Sequence, residues 1–224
     1  MIVMTFQRAR SEEQREIRRQ AILDTAAAMI DEMPVMQVSL NELSRRVGLA
    51  KSNVLRYFES REAILLELLD RAWKRWTADL RGLLVDRHAS GVPVGLRADK
   101  LATILTDSLA ERPMLCDLLS AQVGVLEHNV SPDVVARYKK SSLDDLGELT
   151  ALVREYLPEL GDDAYGFCTQ TIIVTGAVWT HAHPSASMLA VYEANSSLTP
   201  HCVRFDRDLR DMLSTLLAGT LSRK

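Results

Sequence analysis

Residues 48–65 read GLAKSNVLRYFESREAIL, and SLNEL stands ahead of them at residues 39–43. Ser39 with Glu42 forms a capping-box pattern, in which hydroxyl and carboxylate satisfy amides at a helix start. Val38 before the cap and Leu43 after it sit where a hydrophobic staple closes. Gly48 comes nine residues after the cap and can take the left-handed conformation that ends a helix and turns the chain. From Leu49 to Phe58 the spacing predicts another short helix with Val54 and Phe58 on one side, and Ser60 then caps the next. Small Ser44 falls where two such helices would cross, so the stretch reads as helix, turn, helix.

Outward from this point every segment with a clear period is helical. Upstream, Ser11 and Gln14 repeat the capping-box pattern, Glu12 and Glu13 place negative charge at the positive end of a helix dipole, and apolar residues recur to Met33 before Pro34. Downstream, Ile64, Leu65, Leu68, Leu69, Trp73, Trp76, Leu80 and Leu83 step by three and four residues. Gly91, Pro93 and Gly95 mark a loop over 88–95, and helices follow over about 101–109 and 114–127. Ser131 and Pro132 open a helix that runs to Pro158. Residues 162–181 are apolar on most faces, 184–200 read as a loop or irregular helix, and 205–221 close the chain as an amphipathic helix. No segment alternates with a period of two, so the fold class is all-α.

Composition agrees. The chain has 224 residues, 47% hydrophobic and only 5% aromatic, with Gly 10 and Pro 7, which disfavours a turn-rich β-sandwich or barrel. A net charge of −3 excludes a uniformly basic protein. Residues 1–60 nevertheless carry nine Lys/Arg against eight Asp/Glu, with Arg8, Arg10, Arg15, Arg18 and Arg19 close together. These read as a solvated helix end or as an N-terminal arm that meets DNA backbone or minor groove. Cys116, Cys168 and Cys202 lie far apart without a CxxC pair, which speaks against a disulfide framework and a thiolate metal site. His181, His183, His201 and Cys202 lack ligand-like spacing, so no metal and no cofactor is expected. No apolar run reaches the roughly 20 residues needed to span a bilayer, and the charged start is unlike a secretory signal, so the expected location is the cytoplasm.

The second helix of the pair leaves Lys51, Ser52, Asn53, Leu55, Arg56 and Tyr57 on its other faces. These are cations, donors, an amide that can pair with adenine and an apolar group that can meet a thymine methyl. A solvated helical hairpin in an enzyme or a scaffold is the alternative. No GxSxG, P-loop, HExxH or GxGxxG pattern supports an enzyme.

From Gln14 to about Leu69 the chain resembles the N-terminal domain of the TetR family of one-component transcriptional regulators. The residues that carry the resemblance include Ile22–Leu23, Ala26–Ala27, Val47–Leu49, Lys51, Val54, Tyr57–Phe58 and Glu62–Ala63. It implies a three-helix DNA-binding head over 1–60 and a larger helical effector-binding and dimerisation domain over 61–224. By the same resemblance Ser39, Tyr57 and Arg61 grip phosphates, while Asn41, Lys51, Ser52, Asn53 and Leu55 reach bases or nearby backbone, and Arg56 serves either. Ala50 stands where Ser or Thr is usual, and Arg61 replaces the usual Lys. The implied protein is a repressor without enzyme activity, a homodimer on a palindromic double-stranded operator, released by a small-molecule effector. The 162–181 and 205–221 helices would pair with a second subunit, with Val178 and Leu213 as probes of that contact. Trp73, Met114, Cys116 and Trp179 are the expected walls of an effector cavity, since such cavities are mostly apolar.

Overall fold

The computed structural model describes residues 2–84 and 91–223, the side chains of residues 2–11 excepted. Among these residues the regular structure is helical throughout. Helices α1 (Ile2–Glu32), α2 (Leu40–Arg46) and α3 (Lys51–Val54) form the head, and α4 (Arg61–Leu83) leads from it into the body. The body comprises α5 (Val94–Ala110), α6 (Pro113–Ala121), α7 (Pro132–Tyr156), α8 (Asp163–Ala182), α9 (Ala186–Ala194) and α10 (Phe205–Leu221).

Three helix starts read from serine caps are present as hydrogen bonds. The hydroxyls of Ser39, Ser60 and Ser131 accept from the amides of Glu42 at 3.2 Å, Ala63 at 3.1 Å and Val134 at 3.3 Å. The start expected at Ser11 is overturned, because α1 begins at Ile2 and runs through it. Residues 2–10 hold neither Gly nor Pro, so nothing there breaks a helix. The side chains of Arg8, Arg10 and Ser11 lie outside the described residues. Glu42 does not complete its box either; its carboxylate accepts from Arg45 and Arg46, which hold its pKa down at about 2.

Other boundaries also move. Helix α3 is only Lys51–Val54 and continues as tight turns to Tyr57, and its N-cap Ala50 offers no side-chain acceptor. Helix α5 already includes Gly95, while residues 88–90 of the expected loop lie outside the described residues. The 114–127 helix divides into α6 and a π-helical turn, Gln122–Leu126, closed by Glu127 N–H on the Gln122 carbonyl at 3.1 Å. Within 184–200 the chain forms α9, which Ser185 caps and which buries no residue.

One hydrophobic core runs from head to body. Ile22, Leu23, Met29, Val35, Leu43 and Val54 pack beneath the head, and Ile64 and Leu65 continue the core along α4. Trp76 is fully buried on α4, and its indole N–H donates to Ser108 Oγ at 2.9 Å. Helix α6 packs on α8, which packs on α10. Gly176 permits the first contact: a Cβ there would lie 3.1 Å from the Leu119 carbonyl oxygen. Several side-chain bonds join head and body. Arg19 makes a two-pronged pair with Glu67, Asp117 Oδ2 accepts from the Val35 amide at 2.6 Å, and Glu59 Oε1 accepts from the Ser131 amide at 2.5 Å.

Asp145 on α7 is buried, and burial pushes its pKa from 3.8 to about 6, with Asp70, Glu148 and Asp144 adding to the shift and Lys74 opposing it. The folded state therefore holds this proton more tightly than the unfolded chain. Stability should fall as pH rises between about 4 and 6, then level off. Replacing the carboxyl with a neutral amide removes the penalty above that window. Asp145→Asn should stabilise the protein by about 1–2 kcal/mol at pH 8 and by little at pH 4, read from thermal denaturation at both values.

Candidate nucleic-acid interface

The turn between α2 and α3 depends on Gly48, whose φ of +70° suits a residue without a Cβ. Ser44 is buried where the helices meet, and its hydroxyl donates to the Asn41 carbonyl at 2.8 Å. Val54 and Phe58 anchor α3 in the core. With these inward, Asn41, Lys51, Ser52, Asn53, Leu55 and Arg56 are exposed and Tyr57 is half-buried. Leu55 is 40% exposed, an aliphatic side chain on a face otherwise made of polar groups. Ser39 uses an oxygen lone pair for its cap, which leaves its hydroxyl proton free to donate.

The arginines separate by environment. Gln14, Arg15 and Arg18 of α1 line a cleft of about 440 Å³ with Arg56 and Tyr57, and no carboxylate lines it. Three guanidinium groups thus stand beside the exposed end of α3, which favours an anion. Of the two sequence readings of Arg15 and Arg18, a solvated helix end or an arm, the first fits their place on α1, a helix packed into the head. Gln14 was missed, because only the helix crossing brings it to Arg56. Arg19 points elsewhere: it pairs with Glu67 and lies over the Phe58 ring, 4.5 Å from its centroid. Arg61 is 19% exposed; it donates to the Val38 carbonyl at 2.9 Å and pairs with Glu62 at 3.1 Å. Its guanidinium fixes the approach to α2, so a phosphate would have to share it.

The expected effector-cavity residues do not converge. Trp73 lines a groove of about 420 Å³ between α6, the π-helical turn, α7 and α8, along with Leu119, Val123, Leu146 and Ile172. Met114 lines a different cleft, of about 360 Å³, between α1, α4 and the start of α6. Cys116 lines neither. It is fully buried, its thiol donates to the Leu109 carbonyl at 3.3 Å, and burial pushes its pKa up to about 12. Trp179 meets the His183 and Phe205 rings, with centroids 3.9 and 5.1 Å away. The spacing of these four gave no sign of the separation, since α6 interposes its own core face.

Comparison with known proteins agrees with this architecture. Residues 22–68 match the family described as bacterial regulatory proteins, tetR family, and residues 70–224 match the tetracyclin repressor-like C-terminal domain. The chain belongs to the TetR family. Within it, the HTH-type transcriptional regulator EthR of Mycobacterium tuberculosis is 39% identical over 54 residues, which are 24% of this chain and 25% of that regulator. The chain thus matches about a quarter of the EthR length. The HTH-type transcriptional regulator BetI of Escherichia coli is 24% identical over 189 residues, 84% of this chain and 92% of BetI. A TetR transcriptional regulator from Rhodococcus sp. RHA1 shares the fold with a TM-score of 0.53 at 14% identity, over 92% of this chain and 98% of that one. The fatty acid degradation regulator FadR from Bacillus halodurans does so with a TM-score of 0.51 at 16% identity, over 89% and 97%. Among the described residues no helix is long and apolar enough to cross a membrane.

Proposed function

We propose that this chain is a cytoplasmic, ligand-responsive transcriptional repressor that binds a palindromic double-stranded operator as a homodimer. The observation that carries the reading is the face left by α3. Its apolar anchors point into the core, while Lys51, Ser52, Asn53, Leu55 and Arg56 stand exposed beside the arginines of α1. In this reading Lys51, Asn53 and Leu55 meet base edges in the major groove, with Asn41 and Ser52 alongside. Ser39, Tyr57, Arg56, Arg15 and Arg18 hold phosphates, and Arg61 adds charge behind them. The head over 1–60 reads DNA, and the body over 61–224 dimerises and takes the effector.

The groove at Trp73 fits the effector best. It is lined mainly by apolar side chains, and the buried Trp73 indole N–H has no hydrogen-bond partner among the described residues. An apolar molecule with one acceptor would satisfy it. Occupancy would press on α6, whose Asp117 holds the Val35 amide of the head, and so shift the population of head orientations. Fluorescence anisotropy with fragments from upstream of the protein's own gene and from neighbouring promoters tests the reading. It predicts tight, salt-sensitive binding to particular fragments. Equal, weak binding to all of them contradicts it.

A further inference from the structure

A further cleft, of about 550 Å³, lies at the junction of head and body, between α1, α4, α7 and the Tyr57–Glu59 segment. Most of its wall is closed upon itself. Arg19 and Arg71 share Glu67, and Arg71 also donates to Gln20 Oε1 at 2.5 Å. The floor is different. Tyr138 lines it, is 6% exposed, and has a buried hydroxyl with no hydrogen-bond partner among the described residues. Asp70 lines it too: Lys74 takes Oδ2 at 2.7 Å, while Oδ1 is buried and equally unpartnered. A buried hydroxyl and a buried carboxylate oxygen left unpartnered both lose hydration without return, and the carboxylate oxygen calls for a donor.

Charge defines that donor. Glu127, Asp70 and Asp145 all bear on the Tyr138 hydroxyl, and Lys74 is the cation set against Asp70. Lys74 is already engaged with Asp70 and with Ser141 Oγ at 2.8 Å. At the floor Asp70 and Asp145 thus face one cation, Lys74, with two buried hydrogen-bonding positions unmade, while Arg19, Arg71 and Arg137 along the wall offset Glu67 and Glu59. A quaternary cation would answer the charge and leave both positions unmade; an ammonium with N–H groups answers both. At the rim stands Arg137, exposed and without an ion pair among the described residues, in a position to meet a carboxylate if the ligand has one.

We propose that this junction cleft binds a small molecule carrying a protonated primary or secondary amine, seated against Asp70 and Tyr138. The site is separate from the groove at Trp73 and does not depend on the operator reading. Its position has a consequence for that reading. Tyr57 lines both this cleft and the arginine cleft beside α3, so an occupant bears on the segment that holds phosphates.

Calorimetry on the full chain without DNA tests it, with putrescine, spermidine and lysine as ligands and tetramethylammonium as the control that lacks N–H groups. At least one amine should bind with a Kd of about 1 mM or tighter, and tetramethylammonium should not. Tyr138→Phe and Asp70→Asn should each weaken binding about tenfold or more. Tyr138→Phe should leave the melting temperature equal or higher, because it deletes an unpartnered hydroxyl. It carries the test should Asp70→Asn fold poorly. Preference for lysine that Arg137→Ala abolishes assigns a zwitterion; retained binding of putrescine in that variant assigns a diamine. No binding by any amine at about 10 mM, or binding that both floor variants leave intact, overturns the proposal.

Discussion

Ile173→Asp is expected to convert a dimer to a monomer and to lower operator affinity at least about a hundredfold. Ile173 is 65% exposed on α8, where it also lines the groove at Trp73, and Tyr165 on the same helix and Met212 on α10 are nearly half exposed. A helix with this much apolar surface on both its inner and outer sides calls for a second cover. Each half-site of a palindrome supplies only part of the contact energy, so a monomer loses most of the affinity. The probes suggested by the sequence, Val178 and Leu213, do not test this. Val178 is 3% exposed and Leu213 is fully buried inside one subunit, so an aspartate there attacks the fold. Sedimentation velocity at micromolar concentration, with anisotropy on the operator, separates the cases. Ile173→Asp should stay folded and sediment as a monomer, whereas Leu213→Asp should lose its cooperative thermal transition.

Replacing Arg15, Arg18 and Arg56 together with glutamine should have an effect of similar size by another route. If each guanidinium neutralises one phosphate, each contributes about 0.9 to the slope of log affinity against log salt. A subunit then loses nearly three units of slope and its half-site contact two to three orders of magnitude at about 0.1 M salt, and a dimer loses twice as much on the logarithmic scale. Preference among sequences should survive, because phosphate contacts position the protein without reading bases. Arg19→Gln is the contrasting variant. It breaks the pair with Glu67 and the contact over Phe58, so it should lower stability and leave the salt slope nearly unchanged. Titrations at four or more salt concentrations distinguish the two.

The fold was largely legible because its signals are local. Ser39, Ser60 and Ser131 cap helices within three residues of themselves, and Gly48 takes its turn conformation whatever packs nearby. Ser11 misled for the same reason: a capping pattern shows that a helix could start there, and only a breaker upstream requires it to. The exposed face of α3 was legible as the complement of Val54 and Phe58. What escaped depends on contacts across the fold. Gln14 joins Arg56 only because α1 crosses the head, and Arg61 meets Val38 across a sequence separation of 23. Trp73, Met114, Cys116 and Trp179 resembled one cavity wall because apolar residues read alike in sequence, whichever side of α6 they occupy. The Tyr138 and Asp70 floor had no motif at all, since its meaning lies in hydrogen bonds left unmade.

Whether exposed α3 reads DNA bases turns on Lys51. Lys51 is exposed at the first turn of α3 and has no ion pair among the described residues, so its removal leaves the core and the neighbouring ion pairs intact. The measurement is the affinity of the wild type and of Lys51→Ala for a library of single-base operator variants at several salt concentrations. Lys51→Ala should lose about 1–3 kcal/mol of discrimination at one or two positions of each half-site and keep it elsewhere. An even loss over every variant, with a salt slope lower by about one unit per subunit, would make Lys51 a phosphate clamp and contradict the assignment of the reading face.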